Sequence, residues 1–441
     1  MINNLAERIG VNRTVLALSV ARLGDAIGNS ILIIVIPLYV AKLPSPWFNL
    51  PESARVGILI AAYGLVNALL QPIMGALVDR LGKRKLLIQV GLVIMALATF
   101  SFSFAARFTD LLLLRAVQGI GVAITIPAAL ALMAVATKKH TRGGSMGVYS
   151  ASRMLGFAIG PLLGGILYER FGFNTSFYVG AGFIFVGMLM VQVWVREHLV
   201  KTQNATESAP LEPKPFRFLD KELLTAGILG AAFASFIMAS DFSMISTLET
   251  QFNARLNQSA TAFGVAFSAL MIGRLIFQIP LGRWSDKIGR KPLIIGGLIV
   301  MAPVTFFLGT VASTLQFVGL RVIQGIGSAA VAAPAFALAA DLSKQGGEGR
   351  QMSIITMGFG LGIALGPLMT GFLATQSFLL PFIVSGVITL IGAWIVFRYV
   401  PETIHPEELE LQTIEKEPEK GDKQVQGRFY RESQHSLGDG D

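Results

Sequence analysis

No cysteine occurs among the 441 residues. That absence excludes a disulfide framework, a thiolate metal site and thiol redox chemistry. Histidine is scarce too. His140, His198, His405 and His435 all fall in expected loops or the tail, which disfavours a metal centre. Charge is the third shortage: charged residues make up 14% of the chain, against about 25% in soluble domains. No P-loop, Gly-x-Ser-x-Gly elbow or paired-histidine motif is present, so neither an enzyme nor direct ATP drive is indicated. Met1–Arg13 carries an acid and two bases and lacks the apolar core and small-residue cleavage site of a signal peptide.

What the chain has instead is oil. Hydrophobic residues make up 53% and mean hydropathy is +0.62. Uncharged runs include Leu86–Ala106, Ala116–Thr137 and Phe171–Val195, and about 20 residues cross a ~30 Å hydrocarbon core. Gln351–Phe397 holds 47 residues without a charge. One helix of that length would reach about 70 Å, so two spans are expected, broken near Ala374–Ser377. Helix is the state that pairs every backbone group inside lipid. The pattern predicts an all-α integral membrane fold of twelve transmembrane helices. Their expected limits are 14–40, 55–78, 86–105, 110–136, 146–168, 174–195, 222–247, 260–281, 293–311, 314–340, 351–373 and 379–398.

The expected organisation follows. Residues 1–13 form an N-terminal segment, 14–195 a six-helix bundle, 196–221 a linker containing Pro210, Pro213 and Pro215, and 222–398 a second six-helix bundle. Residues 399–441, rich in Glu, Lys and Gln, form a disordered tail. Short loops on one side carry twenty lysines and arginines, against five on the other. The positive-inside rule then puts both termini in the cytoplasm. The net charge of +9 is thereby topological, and no nucleic-acid partner is expected.

The two bundles repeat each other. GALVDRLGKRKLL at Gly75–Leu87 returns as GRWSDKIGRKPLI at Gly282–Ile294. RAVQGIG at Arg115–Gly121 returns as RVIQGIG at Arg321–Gly327, and Gly160-Pro161 as Gly366-Pro367. The offset is 206 or 207 residues each time, which marks a duplicated six-helix unit. An even number of helices per copy gives parallel halves around an axis normal to the membrane, with a site between them at mid-depth.

These stretches closely resemble the major facilitator superfamily across all twelve spans. The first fits that family's signature between helices two and three, and the second its fourth-helix arginine signature. Gly147, Gly156, Gly160, Pro161, Gly164 and Gly165 resemble the fifth-helix signature of twelve-helix drug:proton antiporters, the tetracycline and multidrug efflux type. The resemblance implies a proton-coupled exporter of small amphipathic or hydrophobic organic compounds that works by alternating access. Its partners would be a small-molecule substrate, protons and the lipid bilayer. It would use the proton gradient and no cofactor, as a monomer in the cell (inner) membrane. A metabolite or sugar importer or uniporter on the same fold, and a non-transporting membrane sensor, are the alternatives.

Candidate residues follow from the cost of polar groups in a bilayer, where they usually line a cavity. Arg22, Asp25 and Asn29 share one face of the first span at i, i+3 and i+7. Desolvation raises a carboxylate pKa and a nearby cation lowers it, so Asp25 suits a proton carrier; a structural Arg22–Asp25 pair is the other reading. Arg115 resembles the family's proton-coupling arginine, or is a base reaching for the interface. Asp241 is a further proton-carrying candidate or a cavity-wall acid. Tyr63, Asn67 and Gln71 make an i, i+4, i+8 stripe, and Gln118, Arg274, Gln278, Arg321 and Gln324 complete the expected cavity. Arg153 fits a cavity role or a partner within the fifth helix. Gly75, Asp79, Arg80 and Gly82, with Gly282, Asp286, Gly289 and Arg290, are expected to gate the cytoplasmic side. Resemblance implies latches from Asp79 to Arg350–Ser353 on the eleventh helix and from Asp286 to the fifth. The glycine set reads as a leak-proof hinge or as ordinary small-residue packing.

Overall fold

The computed structural model describes residues 11–46, 49–137, 141–195, 225–342 and 348–404, with the side chains of Asp79, Arg142 and 348–353 excepted. The expected linker and nearly all of the expected tail lie outside the described residues. The helices are α1 (Arg13–Lys42), α2 (Glu52–Leu81), α3 (Arg84–Ser101), α4 (Phe108–Ala136) and α5 (Arg142–Trp194). After the linker come α6 (Ala226–Met244), α7 (Glu249–Arg255), α8 (Ala260–Ile288) and α9 (Arg290–Leu308). The last three are α10 (Thr314–Asp341), α11 (Glu348–Leu373) and α12 (Leu380–Tyr399).

Among the described residues, eleven helical stretches are long and apolar enough to cross a bilayer. One of them, α5, has 53 residues, about 80 Å of helix, and carries the fifth and sixth spans. Gly172, at φ 80° and ψ −173°, breaks it. Only glycine reaches that backbone conformation readily. The seventh span is longer than expected. It passes through a 3-10 turn at Ile245–Leu248 into α7 and ends at Arg255, whereas the sequence suggests an end near residue 247.

Helix ends follow local chemistry. Asn12, Ser259 and Ser313 side chains accept hydrogen bonds from Val15, Ala262 and Gln316 N–H groups, at 2.9, 3.2 and 3.3 Å. Each satisfies an orphan donor of a first turn. The signature glycines Gly82 and Gly289 stop α2 and α8 at φ 63° and 106°. Large apolar side chains such as Leu97, Leu113, Val193 and Phe397 are exposed around the outside, while Arg22, Asp25, Arg115, Asp241 and Arg321 are buried. That inversion is what a lipid solvent demands.

The duplication is visible atom by atom. Gly91 packs on the Gly121 carbonyl and Gly297 on the Gly327 carbonyl, with Met95 and Met301 beside them. Gly119 meets the Tyr63 carbonyl, and Gly325 meets the Leu270 carbonyl. The Ser30 hydroxyl donates to the Gly156 carbonyl at 3.1 Å, and the Ser240 hydroxyl to the Gly362 carbonyl at 3.3 Å. The copies therefore run at 206 or 207 in most helices, but α1 and α6 are offset by 210 residues, Ser30 to Ser240.

Among the described residues, the contacts between the halves gather toward one face. There Ile34, Phe157, Ala158 and Tyr168 of the first half join Phe242, Leu248, Phe252 and Phe263 of the second in one core. The Ser53 hydroxyl donates to the Gly371 carbonyl at 3.0 Å, the Thr250 hydroxyl to Glu52 at 2.5 Å, and the Thr261 hydroxyl to Glu169 at 2.6 Å. This is the face opposite the 75–87 and 282–294 loops. Toward the loops the halves part: the seam between α2 and α11 thins to Ala68 against Gly360. A Cβ placed on Gly147 would touch nothing.

Gly156→Leu should lower the unfolding free energy by about 1–3 kcal/mol, because the new side chain runs into Ala26 and the Leu23 carbonyl of α1. Gly147→Leu should leave it unchanged. Thermal unfolding of the purified variants in detergent checks this; equal losses would contradict the packing described.

Candidate substrate cleft

The first-half centre is built on α1. Arg22 Nη1 donates to Asp25 Oδ2 at 2.6 Å, and Asn29 Nδ2 donates to Asp25 Oδ1 at 2.5 Å. All three are buried inside the bundle, not turned to lipid. The i, i+3, i+7 spacing therefore does bring them together, and both carboxylate oxygens have a donor. The Arg22 guanidinium also lies 5.7 Å from the Tyr149 ring centroid. Tyr63 and Arg153 complete the electrostatic neighbourhood of Asp25.

Each half then carries an Arg–Gln–Thr relay. Arg115 Nη1 donates to Gln118 Oε1 at 2.8 Å, and Gln118 Nε2 donates to Thr99 Oγ1 at 2.8 Å. In the second half Arg321 Nη1 donates to Gln324 Oε1 at 2.6 Å, and Gln324 Nε2 to Thr305 Oγ1 at 3.3 Å. The relays differ at their ends. Thr305 and Thr389 hydroxyls both donate to Asp241 Oδ2, at 3.2 and 3.1 Å. The 210-residue offset puts apolar Ile31 at the place of Asp241, and Ser235 at the place of Asp25. The two acids thus sit six residues apart along equivalent helices, about 9 Å in height. Arg115 rests instead over the rings of Tyr63 and Phe102, at 5.5 and 5.8 Å, and Arg321 over Phe267 at 4.8 Å. Arg115 is buried among aromatics rather than reaching the interface.

The cleft walls come from α2, α5, α8 and α11. Tyr63, Asn67 and Gln71 on α2 correspond to Leu270, Arg274 and Gln278 on α8, and all but Leu270 are part-exposed. Arg153 reaches across to the second half: its guanidinium lies 5.5 Å from the rings of both Phe157 and Phe359.

The fifth-span glycines divide between two partners. Gly156, Gly160 and Gly164 face α1 within their own half, against Ala26, Ser30 and Ile31. Gly165 faces Ala260 and Thr261 of the other half, and the Pro161 carbonyl touches Gly264. The second half reciprocates, with Gly57 on the Pro367 carbonyl and Gly371 on Ser53 and Ala54. Gly147 has no such neighbour. The fold packs three of the six inside one half and leaves Pro161 and Gly165 to join the halves.

Among the described side chains, the loop residues show no bridge between the halves. Gly75 and Gly282 lie nearest Pro127 and Ala333 of their own halves. Arg80 is exposed. Asp286 pairs with Arg290 of its own half, and no contact between Asp286 and the fifth span is seen among the described residues. Arg290 also donates to Asp341 at 3.3 Å and to Ser285 at 2.8 Å. The side chains of Asp79 and Arg350–Ser353 lie outside the described residues. Two acids escaped the sequence reading. Glu402, in the expected tail, accepts hydrogen bonds from the Arg290 and Lys291 N–H groups at 2.9 and 3.0 Å, capping α9. Glu249, in an expected loop, is fully buried, with the Asn253 side chain beside its carboxylate. Its signal was available, since an acid following a long apolar span sits in a seam if the span continues.

Comparison with known proteins places this geometry. The family model described as Major Facilitator Superfamily matches residues 18–239 and 231–429. The uncharacterized MFS-type transporter YuxJ of Bacillus subtilis (strain 168) is 31% identical over 57% of this chain and 64% of its own length. The multi-drug resistance efflux pump PmrA of Streptococcus pneumoniae serotype 4 is 24% identical over 73% of this chain and 79% of its own. The crystal structure of a bacterial homolog of the human lysosomal transporter Spinster, inward-facing and unoccupied, covers 87% of this chain and 95% of that chain. Its TM-score is 0.73 at 18% identity, a likeness of fold.

Asp241→Ala should cost about 1–3 kcal/mol of stability, since Thr305 and Thr389 lose a buried acceptor. Thermal unfolding checks it, and an unchanged transition would contradict the network.

Proposed function

The chain belongs to the Major Facilitator Superfamily, and from that premise we propose that it is a proton-coupled exporter of small amphipathic organic compounds. It works in the cell membrane with both termini in the cytoplasm. The observation that carries the reading is the placement of Asp25. A buried carboxylate, held by Arg22 and Asn29, lies beside a cleft between two halves that touch at one face and part at the other. The efflux-pump relatives support the direction of transport. The positive-inside bias supports an orientation in which the parted face is cytoplasmic.

The cycle follows from the contacts. A proton arriving from outside neutralises Asp25 and removes its charge-assisted hold on Arg22. The contacts of α1 then differ between the loaded and unloaded states, and a ligand shifts a conformational equilibrium only through such a difference. The halves roll on the glycine–proline contacts near the outer face, and the cleft changes the side it opens to.

Norfloxacin, a small amphipathic aromatic compound, is a suitable probe in proteoliposomes with an imposed pH gradient. Wild-type protein should accumulate it on the acidic side, and collapse of the gradient should abolish accumulation. Asp25→Asn should reduce gradient-driven uptake about tenfold or more while leaving gradient-independent exchange measurable. Uptake no greater than in protein-free liposomes would contradict the exporter reading. Uptake indifferent to the gradient would contradict the proton coupling.

A further inference from the structure

The charge of the cleft does not balance. Arg115 lies 5.5 Å from the Tyr63 ring centroid, and the charges of Arg22 and Arg153 also act on Tyr63. Arg274 stands on α8 of the other half, at the position that matches Asn67 of α2, and its charge and that of Arg153 act on one another. Asp25 is the one carboxylate acting on this group among the described residues, and it is already engaged by Arg22 and Asn29. No described carboxylate forms an ion pair with Arg115, Arg153 or Arg274. Arg274 also keeps a buried Nε without an acceptor. A guanidinium stays charged at any physiological pH, so the excess is permanent.

We propose that the cleft wall carrying Arg153 and Arg274 binds an amphipathic organic anion. The anionic group is shared by the two guanidinia, and the apolar body lies against Phe157 and Phe359. Two features point beyond a general positive field. The arginines belong to different halves, and the aromatic rings that flank Arg153 likewise come one from each half. An anion in this position turns a repulsion between the halves into a bridge. That supplies the contact difference by which a substrate drives closure of the open face. A cation of the same shape would add a like charge to the cluster and be rejected. The inference rests on the reading of this cleft as the substrate path, but not on the direction of transport or its coupling to protons.

Two probes with one apolar body and opposite charge test it: pyrenebutyrate and pyrenebutyltrimethylammonium. Each is titrated into nanodiscs of zwitterionic lipid carrying the full chain, with empty nanodiscs subtracted, and fluorescence anisotropy is read. The anion should bind wild-type protein about tenfold or more tightly than the cation. Arg153→Gln and Arg274→Gln should each reduce that preference severalfold, and Arg153→Lys should keep most of it. Equal binding, preference for the cation, or no saturable binding of pyrenebutyrate to wild-type protein would overturn the proposal, and none of these outcomes depends on a variant. Proton-driven norfloxacin transport without an anion preference would sink this inference alone. An anion preference without proton-driven transport would sink the exporter reading alone.

Discussion

The contact of Gly57 with the Pro367 carbonyl, repeated as Gly264 on the Pro161 carbonyl, is the constraint on which the molecule turns. Backbone touches backbone at both places, because neither glycine has a side chain to hold the helices apart. Small residues allow such close approach between membrane helices. The two contacts are equivalent under the duplication, so they define an axis between them. Gly165 and Gly371 extend the same seams toward the far face, and hydrogen bonds from Thr261 and Ser53 close them there. On the other side of these pivots the halves have little to hold them, and the cleft opens.

Burial of charge decides the rest. Breaking a buried ion pair costs about 3–5 kcal/mol because it strands a charge, whereas a desolvated cation–π contact contributes about 2 kcal/mol. The second half links its buried arginine to an acid through neutral groups. Arg321, Gln324, Thr305 and Asp241 form one chain of donors and acceptors with an acid at its end. The first half keeps the arginine, glutamine and threonine but has no acid in that place. Arg115 is left to aromatic rings, and the acid of this half sits lower, on the face of α1 that borders the cleft. The duplicated unit has thus diverged: in one copy the relay from the buried arginine ends on an acid, and in the other it does not.

Much of this was legible in the sequence. Spans and loops are written in runs of uncharged residues and islands of bases, a signal that lipid makes strong. The repeat was legible because Gly, Pro, Arg and Asp recur at positions where no other residue serves. The Arg22–Asp25–Asn29 face followed from helical spacing alone, whereas Arg115, Gln118, Arg321 and Gln324 were legible as buried polar groups but not as hydrogen-bonded pairs. Thr99 and Thr305 did not, since a threonine in an apolar run carries no mark of its partner. The glycine set was legible as a motif but not in its direction. A helix has neighbours on every side, and only packing shows that Gly160 faces α1 while Gly165 faces α8. The four-residue slip between α1 and α6 was hidden for the same reason, because the landmarks lie in other helices. Glu402 was misplaced because a short acidic stretch looks the same whether it floats or caps a helix.

The lack of cysteine allows the central claim, that the halves roll about the glycine–proline pivots, to be measured directly. Pairs of spin labels on introduced cysteines report distances across the molecule. One pair, at Lys83 and Lys287, spans the open face, and the other, at Asn49 and Thr375, spans the closed one. All four are exposed. In nanodiscs, acidification together with norfloxacin should shorten the first distance and lengthen the second in step. If both distances shift the same way, or neither moves while the same preparation transports, the rolling account is contradicted.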